Sequence, residues 1–401
     1  MKKLFAMLAV ILVMIGCQKE EIEKPNLGAR ALSNRITPYE AIDFAIDAVY
    51  DDATRGYNAP RATVSVYGIE QTRSGESVDS MFYFVNFENN GGYAIVSTDR
   101  RAGDVIAFSR SGNVDPDSIE DGSAMDLVMT LAGSRYLEIL PPDGGNDSLT
   151  PIIPEDYLDY PKITLVTDWT ENGSAGPYVE MEWHQGPPFN YRSPFIAGEQ
   201  APAGCLTIAL AHIMSYYQYP ESHNDIDYRW GLLLQTNPFV TMTDDYQSHM
   251  AEFIADIGQT IGVEYGEDYS DASLPEAKAA AEDFGYYASP ISYTKVPKNP
   301  SYIYCVGAIE QGTQNVDANG NLIGHAFVVD GYISEQREVT YMDYDINMAS
   351  FYFYKVDEFR CYLHCNWGMG LDPAPEYCIY EIIQPSGYNE YYDFSNFYMY
   401  N

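Results

Sequence analysis

A chain of 401 residues has length for about two or three domains and a sizeable buried core. It carries 58 acidic against 22 basic side chains, a formal charge of −36, which argues against a nucleic-acid partner and against a polybasic membrane surface, since both need Lys and Arg. An acidic surface aids solubility and says little about substrate.

The chain opens on a targeting segment. Lys2 and Lys3 precede an apolar run, 4–15, too short to span a bilayer and suited to a signal peptide. Met14-Ile15-Gly16-Cys17 resembles a bacterial lipobox, with Met where Leu is commoner. This implies removal of residues 1–16 and lipid attachment at Cys17. Gln18-Lys19-Glu20-Glu21 resembles the export tag of surface lipoproteins in some Gram-negative bacteria. The implied place is the outer membrane or cell surface, with membrane contact only through the anchor. An ordinary secreted protein is the alternative.

Residues 17–35 are polar and read as a tether. Thr37-Pro38-Tyr39-Glu40 is a capping box with Pro at the first helical position, and Ala41, Phe44, Ala45, Ala48 and Val49 continue as a stripe. Strand patterns follow at 63–67, 81–87, 93–97 and 105–109, with a turn at 88–92. Ala124, Leu127, Val128, Leu131 and Leu137 suggest a second helix. Residues 36–140 therefore read as a small α+β domain without a single His or Cys. Residues 141–165 begin with Pro, Gly, Asn and Asp and read as a linker. All six histidines, and every cysteine but Cys17, lie beyond it in residues 166–401. A chemistry-free domain ahead of a linker has the form of a propeptide; a binding or adhesion domain is the alternative.

The later part expects helices at 205–219, 250–262 and 275–284. Strands are expected at 302–306, 325–330, 339–343, 352–356, 362–367 and 377–383. Helices first and sheet second give an α+β unit of two lobes, with a site between them.

Cys205 follows Gly204 at the start of the first of these helices. The helix dipole there favours an anion, so a thiol ionises more readily. A buried thiol packing as a small hydrophobe is the alternative on position alone. A nucleophilic thiol needs an imidazole, an orienting group and oxyanion donors. His325 stands at the head of an apolar strand. His212 lies two turns from Cys205 on the same helix, about 10 Å away and too far for a hydrogen bond. Asn366 is the best orienting amide, with Trp367 beside it as a shield from water. The Gln185 side chain and the Cys205 N–H would make a two-donor oxyanion hole.

With Cys17 set aside, Cys205, Cys305, Cys361, Cys365 and Cys378 remain, an odd number that leaves a thiol unpaired. Cys361, His364, Cys365 and Cys378 could be read as a zinc cluster. Strand alternation puts Cys361 and Cys365 on one side and His364 on the other, which disfavours shared ligation. A disulfide among Cys305, Cys361, Cys365 and Cys378 is the better expectation. No metal and no cofactor is expected.

These residues resemble the streptopain family of papain-like cysteine peptidases with its N-terminal propeptide. The resemblance covers roughly 37–401. It is carried by Trp183-His184-Gln185-Gly186-Pro187-Pro188-Phe189-Asn190, Gly204-Cys205, Asp256-Ile257-Gly258, Phe284-Gly285-Tyr286, Gly324-His325-Ala326, Asp330-Gly331-Tyr332 and Asn366-Trp367-Gly368. In the first domain, 84–87 and 92–101 look like the propeptide hairpin. The resemblance implies a papain-like two-lobed catalytic domain, a helical lobe plus an antiparallel sheet lobe, behind a small α+β prodomain. It implies Cys205 as nucleophile, His325 as base, Asn366 as orienter, Gln185 as oxyanion donor, and Gly204 and Trp367 beside the substrate. It implies protein or peptide substrates and the prodomain as an intramolecular inhibitor. The sequence departs from the family at Leu206, His212, Phe327, Met369, Leu371 and the 372–376 loop, which leaves substrate preference open. A catalytically silent lipoprotein that binds peptides or inhibits a partner protease is a second reading. A surface adhesin is a third.

Overall fold

The structure is a computed structural model. It describes residues 34–50, 61–69, 78–120, 123–140, 162–267, 269–290, 303–310, 324–345, 350–369, 374–380 and 392–400. The signal peptide, Cys17, most of the tether, most of the linker and Leu371-Asp372-Pro373 lie outside them.

Helix α1 (Pro38–Val49) starts as its capping box requires. Thr37 Oγ1 accepts from the Glu40 N–H, and the Glu40 carboxylate accepts from the Thr37 N–H. Strands β1 (Ala62–Ile69), β2 (Val78–Phe87), β3 (Tyr93–Ser97) and β4 (Val105–Ser109) form an antiparallel meander. Helix α1 covers one face, burying Ala41, Ala45 and Val49 against Val85, Phe87 and Ala94. Helix α2 (Ala124–Ile139) covers the other, with Met125, Val128 and Leu131 against Phe82, Phe84 and Ile95. Both faces are buried, so β3 reads as a continuous apolar run rather than an alternating one.

Strands β5 (Lys162–Val166) and β6 (Thr170–Ala175) lead to helix α3 (Cys205–Tyr217). Helices α4 (Asp244–Ile261) and α5 (Leu274–Asp283) pack beside it. Strands β7 (Tyr287–Pro290), β8 (Ile303–Glu310), β9 (Gly324–Asp345), β10 (Ser350–Asn366), β11 (Tyr377–Ile379) and β12 (Tyr392–Tyr400) follow. The mixed helix and antiparallel-sheet architecture is the α+β class expected. Helix α4 begins six residues before the expected Met250 because Thr243 caps it at Asp244.

Two pairs of expected short strands are each one long strand. Residues 325–330 and 339–343 both belong to β9, and 352–356 and 362–367 to β10 apart from Trp367. The polar stretches that looked like breaks are spanned by ion pairs across the hairpin. Arg337 meets Glu358 at 2.7 Å and Arg360 meets Glu335 at 2.6 Å. The expected disulfide is not formed: Cys305, Cys365 and Cys378 are buried thiols outside any disulfide. Cys305 belongs to the core around α3, whereas Cys365 and Cys378 lie in a different core and the Cys365 thiol donates to the Leu363 carbonyl.

All these strands form one twelve-stranded sheet in the order β1-β2-β3-β4-β11-β10-β9-β8-β12-β7, with β5 and β6 also on β9. The two halves of the chain join at β4 and β11, where Phe108 is opposite Tyr377 and Ala107 opposite Cys378. The Phe108 and Tyr377 rings stack 4.9 Å apart. Glu376 accepts from the Arg110 N–H and the Ser111 hydroxyl. The core under α2 runs across the seam to Phe327, Val329, Leu363 and Trp367. Buried at the same seam, Asp104 accepts from Arg360 at 2.9 Å and from the Trp169 indole at 3.1 Å. The Arg337 and Arg360 guanidiniums lie 4.2 and 4.3 Å from the Trp169 ring centre. Burial alone would raise the Asp104 carboxyl, but Arg360 and the other donors hold it below the usual carboxylate range.

Candidate active site

Helix α3 is buried along its length from Leu206 to Ser215, packed between α4 and strands β8 and β9. Gly204 caps it at φ +93°, a backbone conformation that favours glycine. This turn presents Cys205 to the sheet. The Cys205 sulfur meets the backbone N–H groups of Ala326, Leu206 and Cys205 itself. The nucleophile candidate therefore sits one residue from His325. The thiol is nevertheless pushed up, because burial outweighs those donors. The lowered thiol expected at a helix start is absent in this form for that reason.

His325 lies at the head of β9, opposite Ala308 of β8. Its Nε2 is 2.9 Å from the Trp367 carbonyl. A carbonyl only accepts, so Nε2 carries the proton and Nδ1 the lone pair. Burial holds its pKa down at about 4, with the Trp367 carbonyl pulling the other way. The imidazole is neutral. The Phe327 and Trp367 rings pack 4.4 Å from each other, each 6.4 Å from the imidazole in a near-parallel plane.

Asn366 ends β10, opposite Val328. Its Nδ2 donates to the Met181 carbonyl at 2.9 Å, and its Oδ1 accepts from the Gly368 N–H at 3.3 Å. The bond to His325 thus comes from the carbonyl next to Asn366, not from its amide. Trp367 is buried and donates its indole N–H to the Pro375 carbonyl. Gly368 has φ +67°, and a Cβ there would stand 2.9 Å from Ile208 Cγ2. Only glycine lets the asparagine strand lie so close to the nucleophile helix.

Gln185 is brought alongside by main-chain pairing: its carbonyl accepts from the Ala203 N–H at 2.9 Å, two residues before Cys205. His184 forms an isolated bridge with Met369. Gln185, Cys205, His325 and Asn366 therefore converge from a loop, a helix start and two neighbouring strands.

Two supports escaped the sequence reading. His212, set aside as too far from Cys205, is fully buried, and its Nε2 accepts from the Trp183 N–H at 3.1 Å. Its ring stacks on Trp183, and burial lowers its pKa to about 3. It therefore fixes the chain two residues ahead of Gln185. A histidine inside an apolar helix was the available signal, since a buried polar group needs a partner. Asp330, also buried, accepts from the Tyr178 and Val179 N–H groups and from His364 Nδ1. It ties the approach to Trp183 onto β9 and β10. No group of His, Cys, Asp or Glu among the described residues is arranged to hold a metal.

This arrangement can do nucleophilic acyl chemistry: a thiol, a base nitrogen and main-chain donors at a helix start. Comparison with known proteins agrees. Residues 183–371 match the Peptidase C10 family and residues 33–129 match the Spi protease inhibitor family. Streptopain of Streptococcus pyogenes is 24% identical over 333 residues, spanning 71% of this chain and 75% of that protein. The thiol protease/hemagglutinin PrtT of Porphyromonas gingivalis is 22% identical over 287 residues, 65% of this chain but 32% of that protein. A prointerpain A fragment from Prevotella intermedia superposes with a TM-score of 0.50 at 15% identity, covering 84% of this chain and 98% of the fragment. Residues 183–371 are thus similar to the Peptidase C10 family, and they follow an N-terminal region similar to the Spi protease inhibitor family.

Proposed function

We propose that the chain is a cysteine endopeptidase made as a zymogen, with residues 36–140 as its inhibitory prodomain and 166–401 as the enzyme. The observation that carries this reading is the hydrogen bond of His325 Nε2 to the Trp367 carbonyl, which leaves Nδ1 as the base on a strand that packs with the start of α3, where Cys205 and Ala326 share one core. In the reaction, His325 Nδ1 takes the Cys205 proton and the sulfur attacks the peptide carbonyl. The oxyanion is met by the Cys205 N–H and the Gln185 side chain. The imidazolium then protonates the leaving amine, and water hydrolyses the acyl-enzyme. Asn366 orients the imidazole once its amide replaces the Trp367 carbonyl at Nε2. Gly204 and Trp367 border the substrate. Secretion through the 1–16 signal and lipid anchoring at Cys17 belong to the same reading.

The test is to express the full chain and its Cys205→Ala variant. Self-cleavage between the two regions and casein hydrolysis are followed under reducing conditions. The parent is expected to cleave and the variant to remain whole. A parent that stays inert after the 141–165 segment is cut by added protease would favour the silent relative. Metabolic labelling with a radiolabelled fatty acid, lost in Cys17→Ser, tests the anchor separately.

A further inference from the structure

The hairpin of β9 and β10 is open on one side only. Strand β9 is covered along its outer edge by β8, β6 and β5 in turn. Strand β10 meets β11 only over Tyr362–His364. From 350 to 360 its edge away from β9 has no strand against it among the described residues. An open strand edge is a template for another strand.

The side chains along that edge are unusual. Phe353 and Phe359 are 63% and 60% exposed and lie on one face of the strand, together with Lys355 and Asp357. Asp357 stands directly opposite Glu338 in the hairpin register, a like-charge pair. Lys355 already pairs with Glu338 at 2.6 Å, so no cation among the described residues forms an ion pair with Asp357.

The segment Phe353-Tyr354-Lys355-Val356-Asp357-Glu358-Phe359 has a symmetry that answers this need. Let two copies pair antiparallel with Val356 on the two-fold axis. Lys355 then lies opposite Asp357 of the second copy, twice, and Phe353 opposite Phe359, twice. Moving the axis to Lys355 puts two lysines together, and moving it to Asp357 puts two aspartates together. Charge therefore selects one register.

We propose that this edge is a homodimer interface in which the β10 strands of two copies pair antiparallel about Val356. The occupant is a second copy because the charges are complementary only to themselves in this register. A chain of formal charge −36 repels its copies at long range, so the pairing is read best near physiological salt, where the screening length is about 8 Å. The inference is independent of catalysis.

The experiment is sedimentation of the full chain carrying Cys205→Ala, across a concentration series. The parent should dimerise. Lys355→Asp and Asp357→Lys should each weaken self-association about tenfold or more, with unchanged melting. An equal mixture of the two variants should dimerise again, because one copy then brings acidic side chains at both paired positions and the other brings basic ones. Three outcomes would each overturn the proposal: a parent monomeric throughout, single reversals that still self-associate, or a mixture that stays monomeric. In the last two cases the edge is at most a non-specific sticky strand, and in the first it serves another partner.

Discussion

His325 Nε2 sits 2.9 Å from the carbonyl oxygen of Trp367, and that contact decides the state of the whole site. It leaves Nδ1 as the free base, while burial keeps the imidazole neutral. Burial likewise keeps the Cys205 thiol protonated. On the proposed reading, a neutral thiol and a neutral imidazole are a resting pair, not yet the ion pair that would attack a carbonyl.

Acid should destabilise the chain. His325 and His212 have pKa values held at about 4 and about 3, below the ordinary 6.5. The folded state therefore binds protons less readily than the unfolded one, and stability falls as pH falls. The loss starts near 6.5 and continues to about 4 for His325 and about 3 for His212. At about 1.4 kcal/mol per unit, His325 contributes about 3 kcal/mol of it. Chemical denaturation of the Cys205→Ala chain at neutral and acid pH measures this. A flat profile between about pH 7 and 5 would contradict the buried neutral histidines.

Asp104→Asn should loosen the seam between the two halves. Removing one partner of a buried ion pair costs about 3–5 kcal/mol, because the remaining charge is left uncompensated. Arg360 keeps Glu335 after the change, so the lower end applies. The melting temperature should fall, and cleavage between the halves should speed up. Adding Arg360→Met should recover part of the stability. Unchanged melting in Asp104→Asn would mean the pair is not buried in solution.

Gly368→Ala should damage the site from a distance. Its Cβ would stand 2.9 Å from Ile208 at a φ of +67°. Strain of about 1–3 kcal/mol is expected, together with a shift of Asn366 and Trp367 away from α3. Activity of the processed enzyme should fall at least about tenfold, since misplacement of about 1 Å can cost a hundredfold. Equal activity and equal melting would show that the strand has room to move.

His212→Leu should leave the Trp183 N–H buried without an acceptor, at a cost of about 1–3 kcal/mol. Because Trp183 leads into Gln185, kcat should fall more than KM changes. His212→Gln, which restores an acceptor, should recover part of both. An active, stable leucine variant would reduce His212 to core filling.

Much of this was legible in the residues themselves. The capping box at Thr37 and Glu40, the turn at 88–92 and the buried helix after Gly204 are local, and each formed where read. The long hairpin was not legible. Its polar stretches look like loops until Arg337 meets Glu358 and Arg360 meets Glu335 across it. The supports at His212 and Asp330 were hidden as well, because Trp183 lies 29 residues from His212, and His364, Val179 and Tyr178 lie 34, 151 and 152 residues from Asp330.

By itself the sequence determined which side chains could carry the chemistry. Nucleophile, base, amide and donor are residue types, and Gly204 and Gly368 beside them mark tight backbone. The tertiary structure decided their condition. Burial sets the protonation of Cys205 and His325, and a main-chain carbonyl rather than Asn366 holds the imidazole. The joining of β4 to β11 makes one sheet of an inhibitor-like domain and an enzyme-like one. Proton affinity and strand pairing depend on what surrounds a residue, and that exists only once the chain has folded.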